Sequence, residues 1–237
     1  MKKNAMLKIA AILMVAVLLT TCAISSTFAK YVTDGTDVDT SARVAKWGVT
    51  VTVDGANAFA TDYNDVASAT VHSTVKVVAP GTENADAVSI VVAGQPEVDA
   101  TITVPTSDPF VTLANFGDYC PIIFTVKAGA STTEAKTFYV GGTNHAASGT
   151  IADVNGLQTA INTFIGASFK SATYQAEGST AIDMVLEIGW EWEFEGSTVA
   201  SQTDELDSDL GDLVADSNPD NDPTITFAAD VTVEQVD

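Results

Sequence analysis

Residues 182–194 read IDMVLEIGWEWEF, and every second residue is large and apolar: Ile182, Met184, Leu186, Ile188, Trp190, Trp192 and Phe194. Asp183, Val185, Glu187, Gly189, Glu191 and Glu193 stand between them. Alternate side chains of a strand point to opposite faces, so the stretch predicts one long strand with an apolar face and an acidic one. A helix would scatter the same residues around its circumference. Such a strand belongs in the core of a sheet protein. A second reading sets Trp190 and Trp192, flanked by carboxylates, as an aromatic platform for carbohydrate.

The chain around this strand carries the same period in shorter pieces. Strands are expected over 49–53, 71–78, 86–93, 98–104, 122–126, 136–140 and 224–235. Asp54-Gly55, Pro80-Gly81, Gly94 to Pro96, Pro105 and Gly141-Gly142 punctuate them. Short strands at regular spacing with Gly and Pro between them predict an all-β, antiparallel sandwich or barrel. One inserted helix is expected over 150–165. Thr150 and Asp153 offer a capping box, and Val154, Leu157, Ile161 and Phe164 or Ile165 form an apolar stripe. The helix is expected to lie over an open end of the sheets. Residues 195–223, the most acidic stretch, read as a loop.

The N-terminus has the parts of an export signal. Lys2, Lys3 and Lys8 precede the apolar run IAAILMVAVLL over 9–19, and small and polar residues follow. Thr27 and Ala29 suit the −3 and −1 positions of a cut between Ala29 and Lys30, so 1–29 is expected to be a signal helix that signal peptidase removes. A retained anchor and a lipoprotein built on Cys22 are the alternatives; the apolar run is short for the first, and Thr21 is the wrong neighbour for the second. The expected organisation is therefore signal 1–29, N-terminal segment 30–48 and β domain 49–237.

Asp and Glu number 31 against 10 Lys and Arg, a net charge of −21. Without Lys2, Lys3 and Lys8, seven bases face 31 acids, giving −24. Such a surface repels nucleic acid and anionic lipid, so neither is an expected partner beyond the membrane contact of the signal itself. Subunits at this charge also repel one another, so self-association should be easier when carboxylates are protonated or screened.

No HExxH, GxSxG, P-loop or GxGxxG pattern occurs, and the chain reads as a non-enzyme with no resident cofactor. After signal removal Cys120 is the sole cysteine, which excludes an internal disulfide and, with only His72 and His145, a Cys/His metal site. Cys120 reads as a small buried hydrophobe. Weak calcium binding is the one metal reading. Asp216, Asn218, Asp220 and Asp222 offer oxygens at alternate positions, although Asn221 replaces the turn glycine and Phe227 the bidentate glutamate of an EF-hand loop. Asp204, Asp207, Asp209 and Asp212 are a second such group.

Several stretches, in order along the whole chain, resemble one family. They are the signal ending STFAKY, the following DTSARVAKWGV, the APGT turn, and WEWEFEG with its acidic loop and closing strand to VEQVD. Together they resemble the TasA/camelysin group, exported Gram-positive proteins with SipW-dependent-type signal peptides. The resemblance implies a jelly-roll-like β-sandwich at the cell surface, assembling into biofilm matrix fibres as a homopolymer or with other matrix or cell-wall components. It also implies that one subunit's N-terminal segment completes the next subunit's sheet. Camelysin-type relatives have been classed as metalloproteases, but no motif here carries that activity over.

Residues 30–39, with Lys30, Tyr31, Val32, Thr33 and Val38, are accordingly the candidate donor strand. Adding a strand to an exposed sheet edge gives such a donor a physical route, and a head-to-tail contact that does not close makes a filament. The rival expectation is a monomeric surface module that binds glycan or calcium.

Overall fold

The computed structural model describes residues 32–34, 40–43, 48–55, 58–59, 77–105, 109–176, 181–194, 198–215 and 219–236. The signal 1–29 with its cut, and 71–76 of the expected second strand, lie outside the described residues. The described residues are mostly β. In chain order the strands are β1 (Val32–Asp34), β2 (Thr40–Arg43), β3 (Val49–Asp54), β4 (Thr82–Gly94), β5 (Ala100–Thr103), β6 (Val111–Ala114), β7 (Ile122–Gly129), β8 (Lys136–Phe138), β9 (Ala172–Tyr174), β10 (Ile182–Trp192), β11 (Thr224–Phe227) and β12 (Thr232–Gln235). Helix α1 (Val154–Ser168) follows β8, and helix α2 (Asp204–Ala215) follows β10.

The alternating stretch is the centre of the largest sheet, whose order is β2-β3-β4-β10-β7-β8 with every pairing antiparallel. Its even-numbered residues from Ile182 to Trp192 are all buried, while Asp183 is exposed and Glu187 and Glu191 are half-buried. Phe194 lies past the strand's end and is 57% exposed, so the apolar face stops two residues short of its expected limit. Against β4 the register shifts: Ile188 faces Val88 but Trp190 faces Asn84. Gly189 makes room for this bulge, because a Cβ there would stand 2.5 Å from the Ala85 carbonyl oxygen.

A second sheet has the order β1-β12-β5-β9, and β11 pairs with β6 alone. One hydrophobic cluster draws on all three sheets and α1, including Val51, Ile90, Phe124, Leu186, Ile161, Leu113 and Val233. The expected closing strand over 224–235 is two strands. Ile225 to Phe227 serve β6, the chain turns at 228–230, and β12 serves β5. Apolar alternation continues across the break, so its period cannot reveal the change of partner.

The helix α1 starts later than the capping box predicts. Asp153 is the N-cap, its Oδ1 accepting from Gly156 N at 2.7 Å, so Thr150 is not the cap. The stripe Val154, Leu157, Ile161 and Ile165 is buried as expected, and α1 packs over β6 and β7.

The acidic stretch read as a loop contains a second helix, α2. The Thr203 hydroxyl and carbonyl accept from Leu206 N and Asp207 N at 3.3 and 2.9 Å. Asp204, Glu205 and Asp207 in the first turn complement the positive end of the helix dipole. Leu206, Leu210, Leu213 and Val214 recur at helical spacing; Leu210 is buried, and Leu206, Leu213 and Val214 are exposed.

Candidate functional site

Two sheet edges carry the assembly question. The strand β12 pairs with β5 on one side, from Thr232 opposite Thr103 to Gln235 opposite Ala100. On its other side lies β1, with Val32 opposite Glu234, Thr33 opposite Val233 and Asp34 opposite Thr232. Val32 and Thr33 of the candidate donor therefore pair with their own chain's closing strand; Lys30, Tyr31 and Val38 lie outside the described residues. The expectation of an open edge awaiting a neighbour changes accordingly. A segment tethered to the same molecule meets β12 at high local concentration and takes the ladder first. Val231 and Val233 are fully buried, so the backbone that β1 covers is flanked by core side chains.

The other edge is that of β6. Its second side is closed by a helix, not a strand. Asn162 Oδ1 accepts from Val111 N at 3.0 Å, and Asn162 Nδ2 donates to Val111 O at 2.8 Å. One turn earlier, Gln158 Oε1 accepts from Leu113 N at 2.8 Å. Two amides at i and i+4 thus reproduce the hydrogen bonding of a missing strand. Nothing in the apolar stripe of α1 announces this; the signal was the spacing of Gln158 and Asn162 on the face toward β6.

The glycan platform is not formed. Trp190 and Trp192 are only 2% and 7% exposed. Trp190 donates from Nε1 to Ala58 O at 3.0 Å and stacks on Phe59, which stacks in turn on Phe227 with centroids 5.1 Å apart. The face toward the core wins both rings because burying an indole removes a large apolar area from water.

Beyond β10 a polar latch folds the chain back. Glu193 accepts from Thr198 N and Oγ1 at 3.0 and 2.8 Å, and its carbonyl accepts from Gln202 Nε2 at 2.7 Å. Gln202 Nε2 also reaches Asp207 Oδ2 at 3.1 Å, and Tyr119 donates its hydroxyl proton to Asp207 Oδ1. Burial, and then the bond to Asp207, hold the Tyr119 phenol well above its usual range. Glu191 sits directly across from Glu83. Desolvation raises its carboxyl above the ordinary value, and Glu193 and Glu83 add to the effect.

The calcium residues divide. Asp216 and Asn218 lie outside the described residues. Asp220 and Asp222 turn their backbone carbonyls to Asn115 Nδ2, at 2.9 and 3.1 Å. Asp204, Asp207, Asp209 and Asp212 belong to α2, and Asp207 is engaged by Tyr119 and Gln202. Among the described residues no three His, Cys, Asp or Glu side chains converge as a metal site requires.

Cys120 is buried, and burial pushes its thiol up to about 12, so it stays protonated and inert at neutral pH. His145 packs edge-on against Phe138, and His72 lies outside the described residues. Among the described residues no helix is long and apolar enough to cross a membrane.

No family model matches the chain, and no curated protein or solved structure is similar to it.

Proposed function

We propose that the chain is a secreted, non-catalytic subunit of an extracellular or cell-surface fibre in a Gram-positive bacterium. In this reading it is a jelly-roll-like β-sandwich, and subunits join head-to-tail by exchanging the N-terminal strand. The observation that carries it is β1, three residues long, sitting at the edge of a sheet against β12, whose Val233 is buried, as is Val231 just before the strand. When β1 leaves, β12 offers unpaired N–H and C=O groups of the same register to an identical β1 from another molecule. Exchange of a terminal element costs little, because the contacts broken are remade between copies. Signal removal would free the segment, so assembly would wait for export.

The test is a pairing of two single variants. Subunits carrying Thr33→Cys and subunits carrying Val233→Cys, mixed under oxidising conditions, should form a disulfide between different chains as fibres appear in electron micrographs. Deletion of residues 30–39 should leave a folded monomer that makes no fibres. Fibres from the deleted chain, or fibres without the interchain disulfide, would reject the exchange. Acidification and added calcium are further arms. Each should raise fibre yield by lowering the repulsion of a chain at −21 before signal removal and −24 after it.

A further inference from the structure

The strands β11 and β12 succeed one another along one edge, as their partners β6 and β5 do beside it. The strand β1 covers that edge only from Thr232 to Glu234. Along β11 the edge continues, and its backbone direction follows from β6. Val111 N and Leu113 N bond to α1, so by the alternation of an antiparallel pair Thr112 and Ala114 turn to β11, opposite Thr226 and Thr224. Ala228 N donates to Phe110 O at 3.0 Å in the same sense. The N–H and C=O groups of Ile225 and Phe227 therefore point away from β6, and both side chains are half-buried. On that side a groove of about 450 Å³ runs beside Ile225 to Asp230, with Val53 and Asp54 of β3 and Val88 of β4 as its far wall.

The N-terminal segment is a poor fit to this groove. Carried past Asp34 in the register of β1, the sequence would set Gly35, Asp37 and Asp39 opposite Val231, Ala229 and Phe227. That supplies no apolar side chain and would desolvate two carboxylates. Thr40 is moreover paired with Val53 in the other sheet. The mismatch is the same for the identical segment of a second copy. Asp54 and Asp230 at the groove, on a chain at −21, favour positive charge in an occupant.

We propose that the β11 edge binds an extended segment of a different protein, apolar at every second residue and basic between, whose backbone continues the ladder at Ile225 and Phe227. The occupant lies end to end with β1 and does not displace it, so the site stands whether or not the chain forms fibres.

The probe is the end-capped peptide KVKVKVK, added to the purified full chain. The readouts are the backbone amide resonances of Ile225 and Phe227 in a proton–nitrogen correlation spectrum and their hydrogen exchange. Both resonances should move saturably and exchange more slowly, while the amides of β1 stay put. KKVVVKK has the same composition without the alternation, and EVEVEVE has the alternation with the opposite charge. Each should bind at least about tenfold more weakly. Ile225→Pro removes a donor on the groove side and no bond to β6, so it should keep the fold and weaken the peptide about fivefold. Gly55→Leu fills the groove from its far wall, where a Cβ meets only Ala87 O at 3.8 Å and Val88 Cγ2 at 4.0 Å, and should abolish binding. Amides indifferent to saturating KVKVKVK would overturn the proposal, as would equal binding of KKVVVKK or undiminished binding in Gly55→Leu. Ile225 and Phe227 amides that resist exchange before any peptide is added would mean that the chain covers this edge itself. Resonances that move with protein concentration alone would give the edge to a second copy; either result overturns the proposal too.

Discussion

The edges of β6 and β12 are both single sides of short strands next to the core, and they are closed in opposite ways. At β6 the closing groups are Gln158 and Asn162, carried on a fifteen-residue helix that also buries Leu157, Ile161 and Ile165. Opening that edge means lifting a helix from the core. At β12 the closing element is a three-residue strand near the start of the chain, held through three register positions. A side chain on a packed helix cannot be traded between molecules without unfolding, whereas a three-residue edge strand can leave by breaking its own short ladder. The contrast teaches where a sheet protein is protected and where it is available.

Breaking the protected edge should cost most. Asn162→Ala leaves the N–H and C=O of fully buried Val111 without partners, and about 3 kcal/mol of stability should be lost. Urea unfolding measures it, and hydrogen exchange at Val111 should accelerate in step. A loss under about 1 kcal/mol would mean that water reaches this edge and that the helix does not seal it.

Thr33→Pro tests the available edge. Proline removes a backbone donor and disfavours the pairing, yet the strand is short and at a sheet edge, so about 1 kcal/mol should go. Amides of β12 should exchange faster while those of β6 stay protected. Equal sensitivity of the two edges would erase the distinction.

The smallest effect is electrostatic and serves as a control away from both edges. Glu191 has its folded carboxyl raised above the unfolded value, so the folded chain holds this proton more tightly. Stability from this group therefore rises as pH falls through the raised value and levels off below the unfolded one, near the ordinary range of glutamate. Glu191→Gln should be slightly more stable than the parent at pH 7, and the difference should shrink on acidification. A difference that grows instead would show that burial, with Glu193 and Glu83 beside it, does not raise this carboxyl.

The alternation in 182–194 was legible because a core strand must place every second side chain in the same environment, and nothing else in the chain competes with that demand. The strands over 122–126 and 136–140 were legible from their composition and the turn residues between them, and the structure pairs them as β7 and β8. Helix α2 was missed because its acids, read as composition, masked the spacing of Leu206, Leu210 and Val214, although that spacing was present. The break at 228–230 was not legible: Phe227 and Val233 continue one period while pairing with Val111 of β6 and Ile102 of β5. At the candidate site, Val32 and Thr33 could be read as strand-forming, but not which molecule's edge they would take. Trp190 and Trp192 could be read as a pair, but not that only one indole would find an acceptor.

Local pattern by itself determined that this chain makes antiparallel strands around one long acidic-backed core strand, and that α1 lies against them. Those outcomes follow from side-chain periodicity, which each segment carries alone. Tertiary structure decided which backbone edges are sealed, where β1 goes, and which indole of β10 finds an acceptor. Those depend on groups distant in sequence, such as Asn162 with Val111 and Val32 with Glu234, and no local period encodes a partner.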